Sequence, residues 1–128
     1  MRRIVLGLML FGCSAARPSA IDVVERELAA YNAQDANAFA ATYADDATII
    51  RRGKVWLQGR KAIREAYADM FAKYPKCRAR IAERKVEGRA VVDHEIITGR
   101  GPERPDPWDV GWVRNHVENG LIQRVELP

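Results

Sequence analysis

The sequence predicts an α+β protein in which three N-terminal helices pack on one face of an antiparallel sheet. Three observations predict it. Apolar residues recur at helical spacing through the first half of the chain. After Pro75 the pattern changes to strand-length runs separated by turn residues. No repeat or low-complexity segment interrupts this order, and helices followed by a meander form a two-layer arrangement. At 128 residues, 48% hydrophobic and 30% charged, the chain makes one core and is too short for two domains.

The first element reads as an export signal over residues 1–16, followed by a single domain over 17–128. Met1-Arg2-Arg3 is a charged start, Ile4 to Gly12 is apolar, and Ser14-Ala15-Ala16 supplies small residues for cleavage. The apolar run of nine residues is far short of the roughly 20 that a transmembrane helix needs. Two processing routes stay open. Ser14-x-Ala16 suits an ordinary signal peptidase, whereas Leu10-Phe11-Gly12-Cys13 resembles a bacterial lipoprotein box with Cys13 as the lipid anchor. Either route implies a secreted or periplasmic protein, the second a membrane-anchored one. It also leaves Cys77 without a disulfide partner, to be read as a small buried hydrophobe.

The helices follow. Ile21, Val24, Leu28 and Tyr31 make one apolar stripe, and Ser19-x-x-Asp22 resembles a capping box ahead of it. Asp35 is an N-cap for a short second helix, in which Phe39 and Tyr43 are expected one turn apart. A third helix from about Arg60 carries Ile63, Tyr67, Met70 and Tyr74 and stops at Pro75. Between the second and third, Ala47 to Gln58 predicts a hairpin turning at Arg52-Gly53-Lys54. Strands are expected near 77–86, 89–98, 110–118 and 121–127, with a Pro-rich charged loop from Gly99 to Pro107.

The formal charge of +4 falls by two without Arg2 and Arg3, and the remaining cations are interspersed with acids. No basic stripe of the kind nucleic acid requires is present, so that class of partner is set aside. There is no phosphate-binding glycine loop and no nucleophile motif. Asp93-His94-Glu95 does not make a metal site, because neighbours in a strand point to opposite faces. Neither metal nor cofactor is expected.

Several segments resemble the nuclear-transport-factor-2-like (NTF2-like) superfamily, and in feel its SnoaL-like and ketosteroid-isomerase-like branches. They are Tyr31-Asn32-Ala33-Gln34-Asp35, Phe39, Tyr43-Ala44-Asp45-Asp46-Ala47-Thr48, Gly59 to Glu65, and Glu118-Asn119-Gly120-Leu121-Ile122. The resemblance implies a cone-shaped α+β fold around a pocket and, as in many relatives, a homodimer formed through the sheet. It does not carry over the isomerase machinery. Glu27 stands where ketosteroid isomerases place an oxyanion-hole Tyr, Arg51 where they place the base, and Val113 near the third position. An Arg remains protonated at neutral pH and is no base.

The site is argued from strand pairing. If His94 faces Asn115, then Val92, His94, Ile96, Val113, Asn115 and Val117 share one face, while Asp93 meets His116 and Glu95 meets Arg114 on the other. A three-residue loop over Glu118 to Gly120 then adds Leu121, Gln123, Val125 and Leu127 to the apolar face. This predicts a polar row of His94, Asn115 and Gln123 across an aliphatic wall. His94 would be the general acid or base, Asn115 and Gln123 would orient a carbonyl or hydroxyl, and Tyr31, Tyr67 and Trp56 would touch the ligand. Asp46 is a second candidate carboxylate at the pocket mouth, and Arg51 a candidate contact for an anion. Glu83 is expected to point inward, and Ile97, Trp112 and Ile122 to cluster on the outer face. Two functions stay open: binding of a small apolar or aromatic molecule, with or without proton-transfer chemistry, or a non-catalytic dimeric module whose core is filled by Tyr31, Phe39, Tyr67 or Met70.

Overall fold

The computed structural model describes residues 16–128. The export segment, Cys13 included, thus lies outside the described residues except for Ala16. The elements run α1 (Ala20–Ala33), α2 (Ala36–Ala41), β1 (Tyr43–Arg51), β2 (Lys54–Gln58), α3 (Arg60–Lys73), β3 (Arg78–Glu87), β4 (Ala90–Thr98), β5 (Trp108–Glu118) and β6 (Leu121–Leu127). No helix among the described residues is long and apolar enough to cross a membrane.

Local chemistry explains the helices. The Ser19 hydroxyl accepts from the Asp22 amide at 3.1 Å while the Asp22 carboxylate accepts from the Ser19 amide at 3.2 Å, a complete capping box. Asp35 accepts from the Ala38 amide at 3.0 Å and starts α2. That helix ends at Ala41, so Tyr43 opens β1 rather than completing the helical turn expected from its spacing to Phe39. Helix α3 ends at Lys73, two residues ahead of Pro75.

The sheet has the order β2-β1-β6-β5-β4-β3. All neighbours are antiparallel except β1 and β6, which run parallel. The helices cover its inner face, where Val23, Val24, Phe39, Ile63, Val91 and Ile122 are almost wholly buried. Burial of each such side chain contributes roughly 1.5–3 kcal/mol.

The register differs from the expected one, and the difference moves the site. His94 pairs with Trp112, Asp93 with Val113 and Val91 with Asn115. An offset of three residues is odd, so it reverses the faces of β4 relative to β5. Asp93 and Glu95 point inward and His94 points outward. The physical reason lies in β4 itself: Val91-Val92 and Ile96-Ile97 place apolar residues on both faces, and all four are buried. Hydrophobic alternation therefore carries no register signal in this strand. The deciding partner is Arg84 on β3, which holds Asp93 by two hydrogen bonds of 2.7 and 2.8 Å.

The turn into β6 is also different. Glu118 pairs with Leu121, so Asn119 and Gly120 form a two-residue turn, with positive φ of 52° and 73°. Such a turn alone would put Arg124 and Glu126 inside. A bulge at Gln123, between the pairs Val117–Ile122 and His116–Arg124, restores Val125 and Leu127 to the inner face. Gln123 is spent on that bulge, and its amide donates to the Glu118 carbonyl oxygen at 3.3 Å. Glu83 is paired beside His94 and exposed, not inward. Ile97 and Ile122 are buried, so no outer-face cluster forms with Trp112.

Candidate functional site

Between the inner face of the sheet, helices α1 and α3, and the 99–107 loop lies a cavity of about 630 Å³. That is the size range of small-molecule pockets. Helix α1 contributes Glu27 and Tyr31, α3 contributes Tyr67 and Met70, and β4 contributes Glu95 and Ile97. Strands β5 and β6 add Val113, Asn115, Val125 and Leu127 as an aliphatic wall around one amide. The opposite wall is aromatic: Phe39 stacks on Tyr67 with ring centres 4.2 Å apart and lies 5.2 Å from Tyr43.

Of the residues singled out in the sequence, Asn115, Tyr31, Tyr67 and Trp56 all line this cavity. Trp56 reaches it as the extra residue of a bulge in β2, between the pairs Ile49–Leu57 and Ile50–Val55. Tyr31 turns its hydroxyl to the Cys77 sulfur at 3.0 Å. Asn115 donates to the Val91 carbonyl oxygen at 3.4 Å. His94, Gln123 and Asp46 do not line it. The His94 ring hydrogen-bonds Asp109 at 2.7 Å and lies 5.3 Å from the Trp112 ring, on the outer face. Asp46 is exposed on β1, and its carbonyl oxygen accepts from Gln58. The polar row of His94, Asn115 and Gln123 is therefore not assembled.

In its place stand two carboxyls. Glu27 and Glu95 enter the cavity from opposite elements, surrounded by protein and only partly open to solvent. Burial pushes the Glu27 carboxyl up to about 8, with a further push from Glu95, while a hydrogen bond from the Tyr43 hydroxyl at 3.3 Å pulls the other way. Burial pushes Glu95 up to about 7, with repulsion from Asp93 adding to it. Burial likewise raises the Tyr43 and Tyr67 hydroxyls above their ordinary range, so both remain neutral donors. Asp93 sits beside this pair but is neutralised by Arg84, which also meets Glu25. Two carboxyls titrating around neutrality in an apolar cavity can hand a proton to, and take one from, a bound molecule.

Sequence reasoning noted Glu27 only as a replacement and put Glu95 on the wrong face. A signal for Glu27 existed: it lies three residues from both Val24 and Ala30 and four from Tyr31, an acid set within the buried stripe of α1. No comparable signal marks Glu95, whose inward direction follows from the β4 register alone.

A model of the SnoaL-like domain family matches residues 24–125. Among curated proteins, none matches the chain. Solved structures with similar folds include an uncharacterised cystatin-fold protein from Novosphingobium aromaticivorans, 29% identical over 87% of this chain and 98% of that one, with a TM-score of 0.78. A protein provisionally assigned as a polyketide cyclase from Sinorhizobium meliloti is 23% identical over 87% of this chain and all 100% of its own, with a TM-score of 0.73. A hypothetical protein with a ketosteroid-isomerase-like fold from Catenulispora acidiphila, solved in complex with trimethylamine, is 20% identical over 84% of each chain, with a TM-score of 0.68.

Proposed function

This chain belongs to the SnoaL-like domain family, and we propose that it binds a small, largely apolar or aromatic carbonyl compound and moves a proton at the carbon next to the carbonyl. The observation that carries this reading is the Glu27–Glu95 pair facing a cavity of about 630 Å³. Near pH 7.5, roughly midway between the two values, Glu95 is the ionised base and Glu27 the protonated acid that hydrogen-bonds the developing enolate. The Tyr67 hydroxyl has no hydrogen-bond partner among the described residues and faces the same space, so it is a second donor for that oxygen. This is isomerase-, cyclase- or lyase-type chemistry, reached without the ketosteroid isomerase residues.

The alternative, a non-catalytic dimeric module with a filled core, is disfavoured by the open cavity: Tyr31, Tyr67 and Met70 line the space and Phe39 packs against Tyr67, so none of the four fills it. We also propose, on the sequence of residues 1–16, that the protein acts in the secreted or periplasmic space.

Hydrogen–deuterium exchange at the α-carbon of 2-tetralone, followed by NMR in deuterated buffer, tests the chemistry. The protein should accelerate exchange with a bell-shaped profile peaking between about pH 7 and 8. Glu95→Gln should lower the rate by about 10²-fold or more. Exchange no faster than in buffer, or acceleration that survives Glu95→Gln, would remove the proposal.

A further inference from the structure

The charges lining the cavity are of two kinds, and the cations are unaccounted for by a carbonyl compound alone. Arg51, Arg52, Arg100 and Arg104 all line it, and none is paired with a carboxylate among the described residues. Elsewhere Arg60, Arg84, Arg89, Arg114 and Arg124 each have a carboxylate within 4.0 Å, while Arg26, Arg64 and Arg80 are exposed to solvent away from the cavity. Lys73, the remaining cation of the lining, is taken by Glu103 at 3.5 Å.

Arg100 is the most constrained of the four. It follows Gly99, whose φ of +78° and close approach to Lys76 exclude any side chain: a Cβ would lie 2.3 Å from the Lys76 carbonyl oxygen. The chain is thereby fixed where it delivers Arg100 over the cavity. Its guanidinium lies 4.4 Å from the Tyr74 ring centre and 5.7 Å from that of Trp108, and one terminal nitrogen touches the Met70 sulfur at 3.2 Å. Its Nε is buried and has no hydrogen-bond partner among the described residues. A buried cationic donor in that state costs free energy until something accepts from it. The Arg51 guanidinium carbon lies over Trp56, 3.7 Å from its ring centre, and that of Arg104 over Trp108, 4.6 Å from its ring centre. The guanidiniums are near enough to one another that, after burial, Arg104, Arg100 and Arg52 further lower the proton affinity of Arg51. Mutual repulsion of this kind is relieved by a bound anion.

We propose that the molecule taken into this pocket is an aromatic or conjugated carboxylate, its carboxylate held by Arg100 with Arg51 and Arg104 and its ring between Trp56 and Trp108. The inference rests on the pocket reading above and names the substrate class for it. Planar guanidiniums match a carboxylate in two-pronged fashion, and the tryptophans beside them offer aromatic surface to a conjugated ligand. The carboxylate end is then anchored away from Glu27 and Glu95, which would repel it, and the reacting carbon is turned towards them.

Binding of 2-naphthoate, methyl 2-naphthoate and 2-naphthalenesulfonate to the full chain, followed by calorimetry at low salt, tests the assignment without requiring turnover. Naphthoate should bind at least about tenfold more tightly than its ester, as a charge-assisted contact to Arg requires. Arg100→Met should erase that preference, and Arg100→Lys should restore only part of it. Equal affinity for acid and ester would overturn the anion subsite while leaving the pocket reading standing. A preference that persists in Arg100→Met would overturn the role of this arginine. Sulfonate binding tighter than carboxylate would replace the carboxylate with another anion and overturn the class named here. Failure of all three probes to bind would take down the pocket reading together with the subsite.

Discussion

The two faces of the sheet treat charge in opposite ways. On the outer face, Arg114 bonds Glu87 at 2.6 Å, His116 meets Glu126 at 3.0 Å and His94 meets Asp109 at 2.7 Å. These pairs are partly exposed and close on themselves, the arrangement expected of a face that has settled its electrostatics with its neighbours and with water. Beneath the inner face one buried charged cluster is closed, Arg84 with Asp93 and Glu25, while around the cavity Glu27 and Glu95 stand without a cation and four arginines without a carboxylate among the described residues. Side chains of opposite sign line the same cavity and do not meet. The difference separates charges that complete the fold from charges that wait for a ligand.

The largest effect should come from breaking the one closed inner cluster. Asp93 is 1% exposed, so Arg84→Met strands a buried carboxylate and should cost about 3–5 kcal/mol in urea unfolding. The outer-face counterpart Arg114→Met should cost under about 1 kcal/mol. Similar losses from the two variants would erase the contrast.

A smaller effect, with a sign, comes from Glu27. Its folded carboxyl, at about 8, lies above the ordinary 4.5, so the folded state holds the proton more tightly than the unfolded chain. The stability this contributes is complete below about pH 4.5 and is lost as the pH rises through about 8. The protein should therefore weaken between pH 5 and pH 9. Glu27→Gln should flatten that slope and be the more stable form at pH 9 by on the order of 2 kcal/mol, allowing for water in the cavity. A wild-type curve that rises across the same interval would show that the carboxyl is not shifted upward.

The smallest effect is the sharpest test of the register. His94→Ala, on the outer face, should move the thermal midpoint by no more than about 2 °C and leave 2-tetralone exchange and naphthoate binding untouched. Loss of either would put His94 back in the pocket and require β4 to turn over.

What could be read from the sequence follows the range of the interactions. Helix starts at Ser19 and Asp35, the stop at Pro75 and the span of β6 depend on residues within a few positions of each other, and all were legible. The resemblance to the superfamily supplied the layer order as well. The faces of β4 were not legible, because its Val-Val and Ile-Ile doublets suit either direction and Asp93 finds its partner on a different strand from the one considered. A three-residue loop over Glu118 to Gly120 was expected where a two-residue turn stands, because the bulge that follows, and not the loop, answers to the demand that Val125 and Leu127 be buried, which no local pattern announces. Asn115, Tyr31, Tyr67 and Trp56 were placed at the cavity by the fold. The carboxyls and Arg100 required the register and the path of the 99–107 loop.

The position of β6 has a consequence for how the chain folds. Among the described strands it comes after all the others in the chain, yet it lies in the middle of the sheet, with β1 on one side and β5 on the other. The β1–β2 hairpin and the β3–β4–β5 meander can each form from near neighbours, but neither meets the other until residues 121–127 are inserted between them. Until then β1 has one edge unsatisfied, β5 has another, and the cavity between them lacks Val125 and Leu127. A chain of this design must keep two sticky edges apart until its final pairing, and deleting residues 121–127 would leave two half-sheets rather than a slightly shorter sheet.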